Sequence, residues 1–267
     1  MNVKANKEIL ALPEVEELFV FPSCGDEANS IGAAYSVYAQ QCLKARQPVD
    51  IEPLGPLYWG RGFDDNQVEL ALEQYKGTSQ LNYKHVDNIE QLTAETLARG
   101  EVVARAKGRM EFGARALGNR SILARADNMD AVRVINDMIK CRDFWMPFAP
   151  AVLAERADEY YIKPKPMPAP YMIIAFDSRP ETRSKYPAGQ HPYDHSVRPQ
   201  EVTESWNSDF YRLLKYYEEI TGEGIILNTS FNLHGYPIVY NPAEAIDVLD
   251  RSGLKFLAVG NWWVEKR

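Results

Sequence analysis

Apolar and polar positions recur along this chain with two different periods, and the change of period marks out its elements. Leu18–Phe21 is a short apolar run ended by Pro22, which predicts a buried strand. A Ser23-Cys24-Gly25-Asp26 turn follows, and the pattern then predicts a helix from Ser30 to about Arg46, begun by IGAAY and capped by Asn29 or Ser30. Val68, Leu70, Leu72 and Tyr75 predict an amphipathic helix over Asp65–Tyr75. Ile89–Leu97 reads as a helix stopped by Gly100, and Val102–Ala104 as the start of a strand. Further helices are predicted at Met129–Ile139, at Asp209–Ile220 before Thr221-Gly222, and at Pro242–Leu249 behind Asn241. Apolar runs at Ala149–Leu153, Tyr171–Phe176, Gly224–Leu227 and Phe256–Val259 have strand length. The two kinds of element mix without a strict βαβ beat, so the predicted class is α+β. Pro164–Pro170 and Arg179–Ser196, rich in Pro, Tyr and charge, read as long surface loops.

This order suggests three parts. Residues 1–46 hold one strand, one Gly-Asp turn and one small-residue helix, too little to fold alone, which implies an upstream portion. Residues 47–95 are read as an ordered connector. Pro48, Pro53, Gly55, Pro56, Gly60 and Gly62 supply its turns, and its aromatic and apolar residues are too many for a flexible linker. Residues 96–267 form the main domain.

Composition narrows the classes. A sequence pI near 5.3 argues against nonspecific binding to nucleic acid or acidic membranes. No apolar run approaches the roughly 18 residues of a membrane span, and MNVKANKEIL is no signal peptide. Cys24, Cys42 and Cys141 are odd in number and widely spaced, which suggests a reducing compartment and a cytoplasmic protein.

Charge is distributed unevenly. Between Arg105 and Arg142 stand nine Lys/Arg and four acids, an excess of +5 in a chain of net charge −7. In KGRMEFGARALGNRS, Gly108, Gly113 and Gly118 alternate with Arg109, Arg115 and Arg120. Glycines allow close backbone approach and Arg presents a planar fork to phosphate or carboxylate. The same spacing also suits arginines paired with surface acids or stacked on aromatics. In IKCRDFWMPFAP, Lys140 and Arg142 would share one face of a strand, beside Phe144, Trp145 and Phe148; alternatively they end a helix and complement its dipole. LNTSFNLHGYPIV sets Asn228, Thr229, Ser230 and Asn232 at the end of a strand, where they suit a polar ligand or an Asx/Ser turn network. In HPYDHSVRPQ, His191, Asp194 and His195 read as solvated loop residues or as acid–base groups. Arg198, ahead of Pro199, is the stronger candidate for a ligand contact. Asp26 could contribute to a metal site but has no His pair near it in sequence.

Taken in order, GRMEFGARALGNRSIL, K-x-RDFWMPFAPAVL, HPYDHSVRPQ and LNTSFNLHGYPIV resemble the NodU/CmcH-type (TobZ-like) O-carbamoyltransferases over about residues 100–264. The resemblance implies a YrdC-like mixed sheet with helices for the main domain. Residues 1–46 would be the tail of an ASKHA, TsaD-like domain, matched by FPSCGDEANSIGAAY, and this chain would be shorter than the whole protein. Lys140-x-Arg142 and Ser230-x-Asn232 resemble the K-x-R…S-x-N signature of those nucleotide-binding proteins. The implied chemistry makes carbamoyl-adenylate from carbamoyl phosphate and ATP with Mg²⁺, for transfer by the TsaD-like domain to a sugar, antibiotic or Nod-factor-like hydroxyl. Lys140, Arg142, Arg198 and Ser230 are then the expected catalytic residues. Arg109, Arg115, Arg120, Asn228 and Asn232 would hold nucleotide or carbamoyl phosphate. Asp26 would be one ligand of an incomplete site for Fe²⁺ or another divalent metal. The expected partners are these small molecules and the TsaD-like domain, with no nucleic acid and no membrane, and oligomeric state left open. Competing expectations are a nucleotide-binding module without turnover and threonylcarbamoyl-adenylate synthesis. Three departures from the family pattern stand out: Ala114 where Pro is frequent, Met146 where Arg is frequent, and His195 where Gly is common.

Overall fold

The computed structural model describes residues 2–140 and 146–267. Its helices are α1 (Val3–Ala11), α2 (Asn29–Lys44), α3 (Asp65–Glu73), α4 (Ile89–Ala98), α5 (Met129–Ile135), α6 (Ala157–Tyr160), α7 (Ser208–Thr221) and α8 (Pro242–Arg251). The strands are β1 (Leu81–His85), β2 (Val103–Ala106), β3 (Arg120–Arg125), β4 (Ala149–Leu153), β5 (Tyr161–Ile162), β6 (Phe176–Ser178), β7 (Ser196–Val197), β8 (Gln200–Val202), β9 (Ile225–Ser230), β10 (Phe256–Val259) and β11 (Trp262–Lys266).

Among the described residues, eight strands form one sheet in the order β1-β11-β10-β2-β3-β9-β4-β8. Two of its pairings, β10 with β2 and β4 with β8, are parallel and the rest antiparallel. The expected mixed α+β sheet with helices is therefore observed. Alternation along the central strands divides the apolar residues between two faces. Val103, Leu123, Ile226 and Ala258 pack with Ile89, Leu97, Phe210 and Leu214 of α4 and α7. Their neighbours Ala104, Ile122, Leu227 and Leu257 pack with residues of α3, α5 and α8. Both faces are thus covered, which is why β4 reads as an unbroken apolar run and β9 begins as one.

The predicted connector is built into this sheet. Its strand β1 pairs with β11, and α3, closed by an Asp64/Gln67 capping box, buries Val68 and Leu72. Neither β1, β3 nor β11 has the apolar contrast that draws attention in sequence; Arg caps both ends of β3.

Other expectations change. Leu18–Phe21 lies in no strand, and Phe19 is exposed: no described strand lies beside it to accept its hydrogen bonds. Helix α2 starts at Asn29 directly after a 3₁₀ turn over Asp26–Ala28, so neither Asn29 nor Ser30 is its N-cap. Tyr171–Phe176 is not one strand. Met172 adopts a φ of +56°, while Ala175 N–H donates to Val3 O and Ile173 O accepts from Asn6, so helix α1 takes the backbone groups a sheet would use.

Gly118 illustrates how closely α7 seats on the sheet. Its φ is +112°, and a Cβ there would lie 2.4 Å from Cδ1 of the buried Phe210 ring. Gly118→Ala is expected to cost about 2 kcal/mol, read as a lowered urea midpoint at unchanged m.

Candidate functional site

The glycine- and arginine-rich loop between β2 and β3 is folded around one buried carboxylate. Glu111 Oε1 accepts from the backbone N–H groups of Leu117 (2.7 Å), Asn119 (2.8 Å) and Arg120 (3.2 Å). Three donors on one anion hold the loop by charge-assisted bonds. Asn119 then ties the loop to Arg109 O (2.8 Å), and Asn207 at the start of α7 donates to Asn119 Oδ1 (2.9 Å).

This arrangement separates the three arginines. Arg109 donates to Gly60 O (2.9 Å) and Trp59 O (2.6 Å), fastening the connector. Arg120 is fully buried, with its guanidinium 4.8 Å above the Phe63 ring and hydrogen bonds to the carbonyls of Gly108 (3.1 Å) and Asn119 (2.8 Å). Burial pulls its pKa down to about 10, so it still carries its charge at neutral pH. Arg115 alone of the three reaches the cleft described next, where burial again lowers its pKa.

On the other side, Lys140 and the end of β9 come together. The predicted helix over Met129–Ile139 is α-helical only to Ile135; Asn136–Lys140 winds as a π turn. Single π turns widen a helix and re-aim the side chains that follow. Lys140 is thereby in a helical turn rather than on a strand, and it is almost wholly buried. Its Nζ has four acceptors within reach of its three N–H groups: Ser230 O (2.5 Å), Ser230 Oγ (3.2 Å), Asn232 O (3.2 Å) and Asn232 Oδ1 (2.6 Å). Ser230 Oγ in turn donates to Asn232 Oδ1 (2.7 Å). Three members of the K-x-R…S-x-N pattern thus form one cluster; Arg142, the fourth, lies outside the described residues.

Between loop and strand lies a cavity of about 30 Å³ lined by Arg115, Ala116, Arg198, Asn228, Thr229 and Ser230 among others. Asn228 and Ser230 reach it together because they share one face of β9. The cavity shares Arg115, Ala149 and Arg198 with an open cleft of about 470 Å³ that runs past Phe148 and His191. Arg115 and Arg198 line both the cleft and the small cavity, two cationic residues suited to an anionic ligand.

His191, Asp194 and His195 bound the outer end of this loop. Asp194 Oδ1 lies 3.3 Å from His191 Nδ1, and Lys4 of α1 pairs with Asp194 at 2.5 Å. His195 adopts a φ of +56°, a left-handed conformation that favours glycine. His195→Gly is therefore expected to stabilise the protein by roughly 0.5–1 kcal/mol in urea unfolding, relief of strain exceeding the entropy glycine adds to the unfolded chain.

Asp26 sits exposed at the start of its 3₁₀ turn, and no group of three His, Cys, Asp or Glu among the described residues could hold a metal. These residues alone therefore do not fit a metal centre. The turn nevertheless abuts the arginine loop: a Cβ on Gly113 would come within 3.2 Å of Ser23 Cβ. No helix of the described residues is long and apolar enough to cross a membrane.

Neither Glu111 nor Gln200 stands out in the sequence. Glu111 stands inside the motif, but a lone acid among arginines reads as a surface ion pair. Gln200 carries no sequence signal beyond following Arg198-Pro199.

Residues 94–266 match the family model described as carbamoyltransferase C-terminus. The uncharacterized protein MJ1058 of Methanocaldococcus jannaschii is 40% identical over 255 residues, which are 93% of this chain and 40% of that one. Nodulation protein NolO of Bradyrhizobium diazoefficiens is 33% identical over 271 residues, 100% of this chain and 48% of its own length. Nodulation protein U of Rhizobium tropici is 31% identical over 247 residues, 92% of this chain and 39% of its own. The chain thus spans less than half the length of these relatives. Full-length HypF in its phosphate- and nucleotide-bound form aligns over 71% of this chain and 23% of that chain at 15% identity with a TM-score of 0.42, a likeness too slight to carry structural inference.

Proposed function

The chain belongs to the carbamoyltransferase family through its C-terminal domain, and from that premise we propose that it makes carbamoyl-adenylate from carbamoyl phosphate and ATP. The observation that carries this reading is the convergence of Arg115, Arg198, Asn228 and Ser230 on one cavity, backed by the Lys140–Ser230–Asn232 cluster. Water cleaves carbamoyl phosphate to carbamate and phosphate. A carbamate oxygen then attacks the α-phosphorus of ATP, and pyrophosphate leaves.

Two polyanions must be brought together, so cations that neutralise charge and fix geometry supply much of the catalysis. Arg115 and Arg198 hold the phosphate groups at the mouth of the cavity. Lys140 sets Ser230 and Asn232, whose polar groups orient the α-phosphate and ribose. Arg142 is assigned a phosphate contact from its motif alone. Arg109 and Arg120 support the site by holding its loop and the connector. Mg²⁺ would enter with ATP and offset its charge. In the whole protein, a TsaD-like domain would pass the carbamoyl group to a hydroxyl of a sugar-like acceptor.

The test is ATP–pyrophosphate exchange by this chain. Exchange that requires carbamoyl phosphate supports the proposal. Nucleotide binding without exchange would replace it with a binding module, and exchange driven only by threonine and bicarbonate would replace it with threonylcarbamoyl-adenylate synthesis.

A further inference from the structure

A groove of about 680 Å³ is lined by the Leu18–Phe21 segment, the start of the connector and the Pro164–Pro170 loop. It shares no lining residue with the cleft or the small cavity. Phe19, Phe21, Tyr35, Ile51, Met167 and Trp206 supply much of its apolar wall. Concavities of roughly 300–1,000 Å³ that are mostly apolar, with a few polar groups, are the usual form of a small-molecule site. Single exposed apolar residues are ordinary, but here Phe19, at 65% exposure, shares one groove with the exposed Tyr35 and Ile51.

The walls are tied to one another without a ligand. The buried Tyr171 has Leu54 O (2.7 Å) and Gly55 O (2.9 Å) within reach of its hydroxyl proton, and its ring lies 5.5 Å from that of Trp206. Lys165 Nζ donates to Leu12 O (2.6 Å) and to Val15 O, which fastens the chain ahead of Leu18 to the loop. The Phe21 ring meets Phe112 edge-on at 6.4 Å. A groove already in shape spares a ligand the cost of ordering it.

Its charge is one-sided. Glu16, Glu17 and Glu52 are exposed and line the groove, and none of the three has an ion pair or side-chain hydrogen bond among the described residues. Lys165, the one cation in the lining, already serves two backbone carbonyls. Pro53, Pro166, Pro168 and Pro170 also line it, and proline has no N–H to offer an added peptide strand.

We propose that this groove binds a small apolar molecule bearing a protonated amine, with its body on the aromatic wall and its ammonium among Glu16, Glu17 and Glu52. An anionic amphiphile would meet three unpaired carboxylates, and a neutral one would gain from the wall alone. Contact of the ammonium with an aromatic face adds in the same direction. The proposal uses no residue of the anion site and stands apart from the carbamoyl-adenylate reading.

Dansylcadaverine and N-dansyl-6-aminohexanoate test it, because they share an apolar body and a methylene arm but end in an ammonium and a carboxylate. In fluorescence titration of the chain, dansylcadaverine should bind at least about tenfold more tightly at low salt. The ratio should fall below about threefold in roughly 0.5 M salt, where exposed charges are screened. The triple variant Glu16→Gln/Glu17→Gln/Glu52→Gln, at exposed positions, should bring it within about twofold. Phe19→Ser and Ile51→Ser, also exposed, should each weaken both probes by about threefold. Equal affinity for the two probes, or a preference that survives the triple variant, overturns the proposal. Binding of neither probe, or binding that both serine variants leave unchanged, overturns it as well. Probe affinity that falls as the chain self-associates gives the groove to a second copy and has the same consequence. None of these failures touches ATP–pyrophosphate exchange, which tests the other site.

Discussion

Lys140→Ala is expected to lower carbamoyl-phosphate-dependent exchange by on the order of 10²–10³-fold, the usual loss when one preorganised electrostatic group is removed from a site. The reason is local. Lys140 Nζ has Ser230 O, Ser230 Oγ, Asn232 O and Asn232 Oδ1 all within 3.2 Å. Without it, buried acceptors at the end of β9 lose their partner, at about 1–3 kcal/mol for an unsatisfied group. Stability should fall together with rate, which equilibrium unfolding will register. Lys140→Arg should not restore the rate, because a compact ammonium and a planar fork cannot serve the same four acceptors. Ser230→Ala removes one hydroxyl and leaves three of those acceptors, so its loss should be smaller, about tenfold. If Lys140→Ala retains exchange and nucleotide affinity within threefold of the parent, the lysine has no role in the site.

Glu90→Ala is expected to be the most destabilising of the substitutions considered, by about 3–5 kcal/mol, because it strands a buried charge. Arg105 is wholly buried on β2 and its Nη1 lies 3.3 Å from Glu90 Oε1. The same oxygen accepts from Lys107 Nζ at 2.8 Å. Arg105 Nε also donates to Gly118 O at 3.0 Å, so the pair joins α4, β2 and the arginine loop. The measurement is urea unfolding of Glu90→Ala against the double variant Glu90→Leu/Arg105→Met, which removes both charges and should recover much of the loss. A cost below about 1 kcal/mol for Glu90→Ala would mean that Arg105 reaches water in solution.

The local consequences of both substitutions could not be read from the motif. Arg105, Arg109, Arg115 and Arg120 have the same chemistry and similar glycine neighbours in sequence, yet they take four situations: a buried ion pair, a tie to the connector, the cleft, and a stack over Phe63. Spacing carries no direction in an irregular loop. What directs the side chains is Glu111, together with carbonyls of Trp59 and Gly60 some fifty residues earlier. The helices were more legible. The pattern over Asp209–Ile220 and Pro242–Leu249 matches the observed helices to within two residues because amphipathic spacing and caps are local properties. Leu18–Phe21 and Tyr171–Phe176 were over-read for the converse reason: a strand exists only where a neighbour supplies hydrogen bonds, and apolar residues alone cannot show that neighbour.

The sequence by itself determined the mixed α+β character, the cationic excess between Arg105 and Arg142, and the family, since periodicity, composition and ordered motifs are all properties of the chain. The tertiary structure decided which arginine meets the cleft, that Lys140 turns inward through a π turn, and that the Asn228 amide nitrogen turns toward Gln200 and the Ala116 carbonyl. Each of those depends on which way a hydrogen-bonding group points. Direction is fixed only when residues such as Leu117, Gln200 and Asn228, far apart in the chain, are folded against one another.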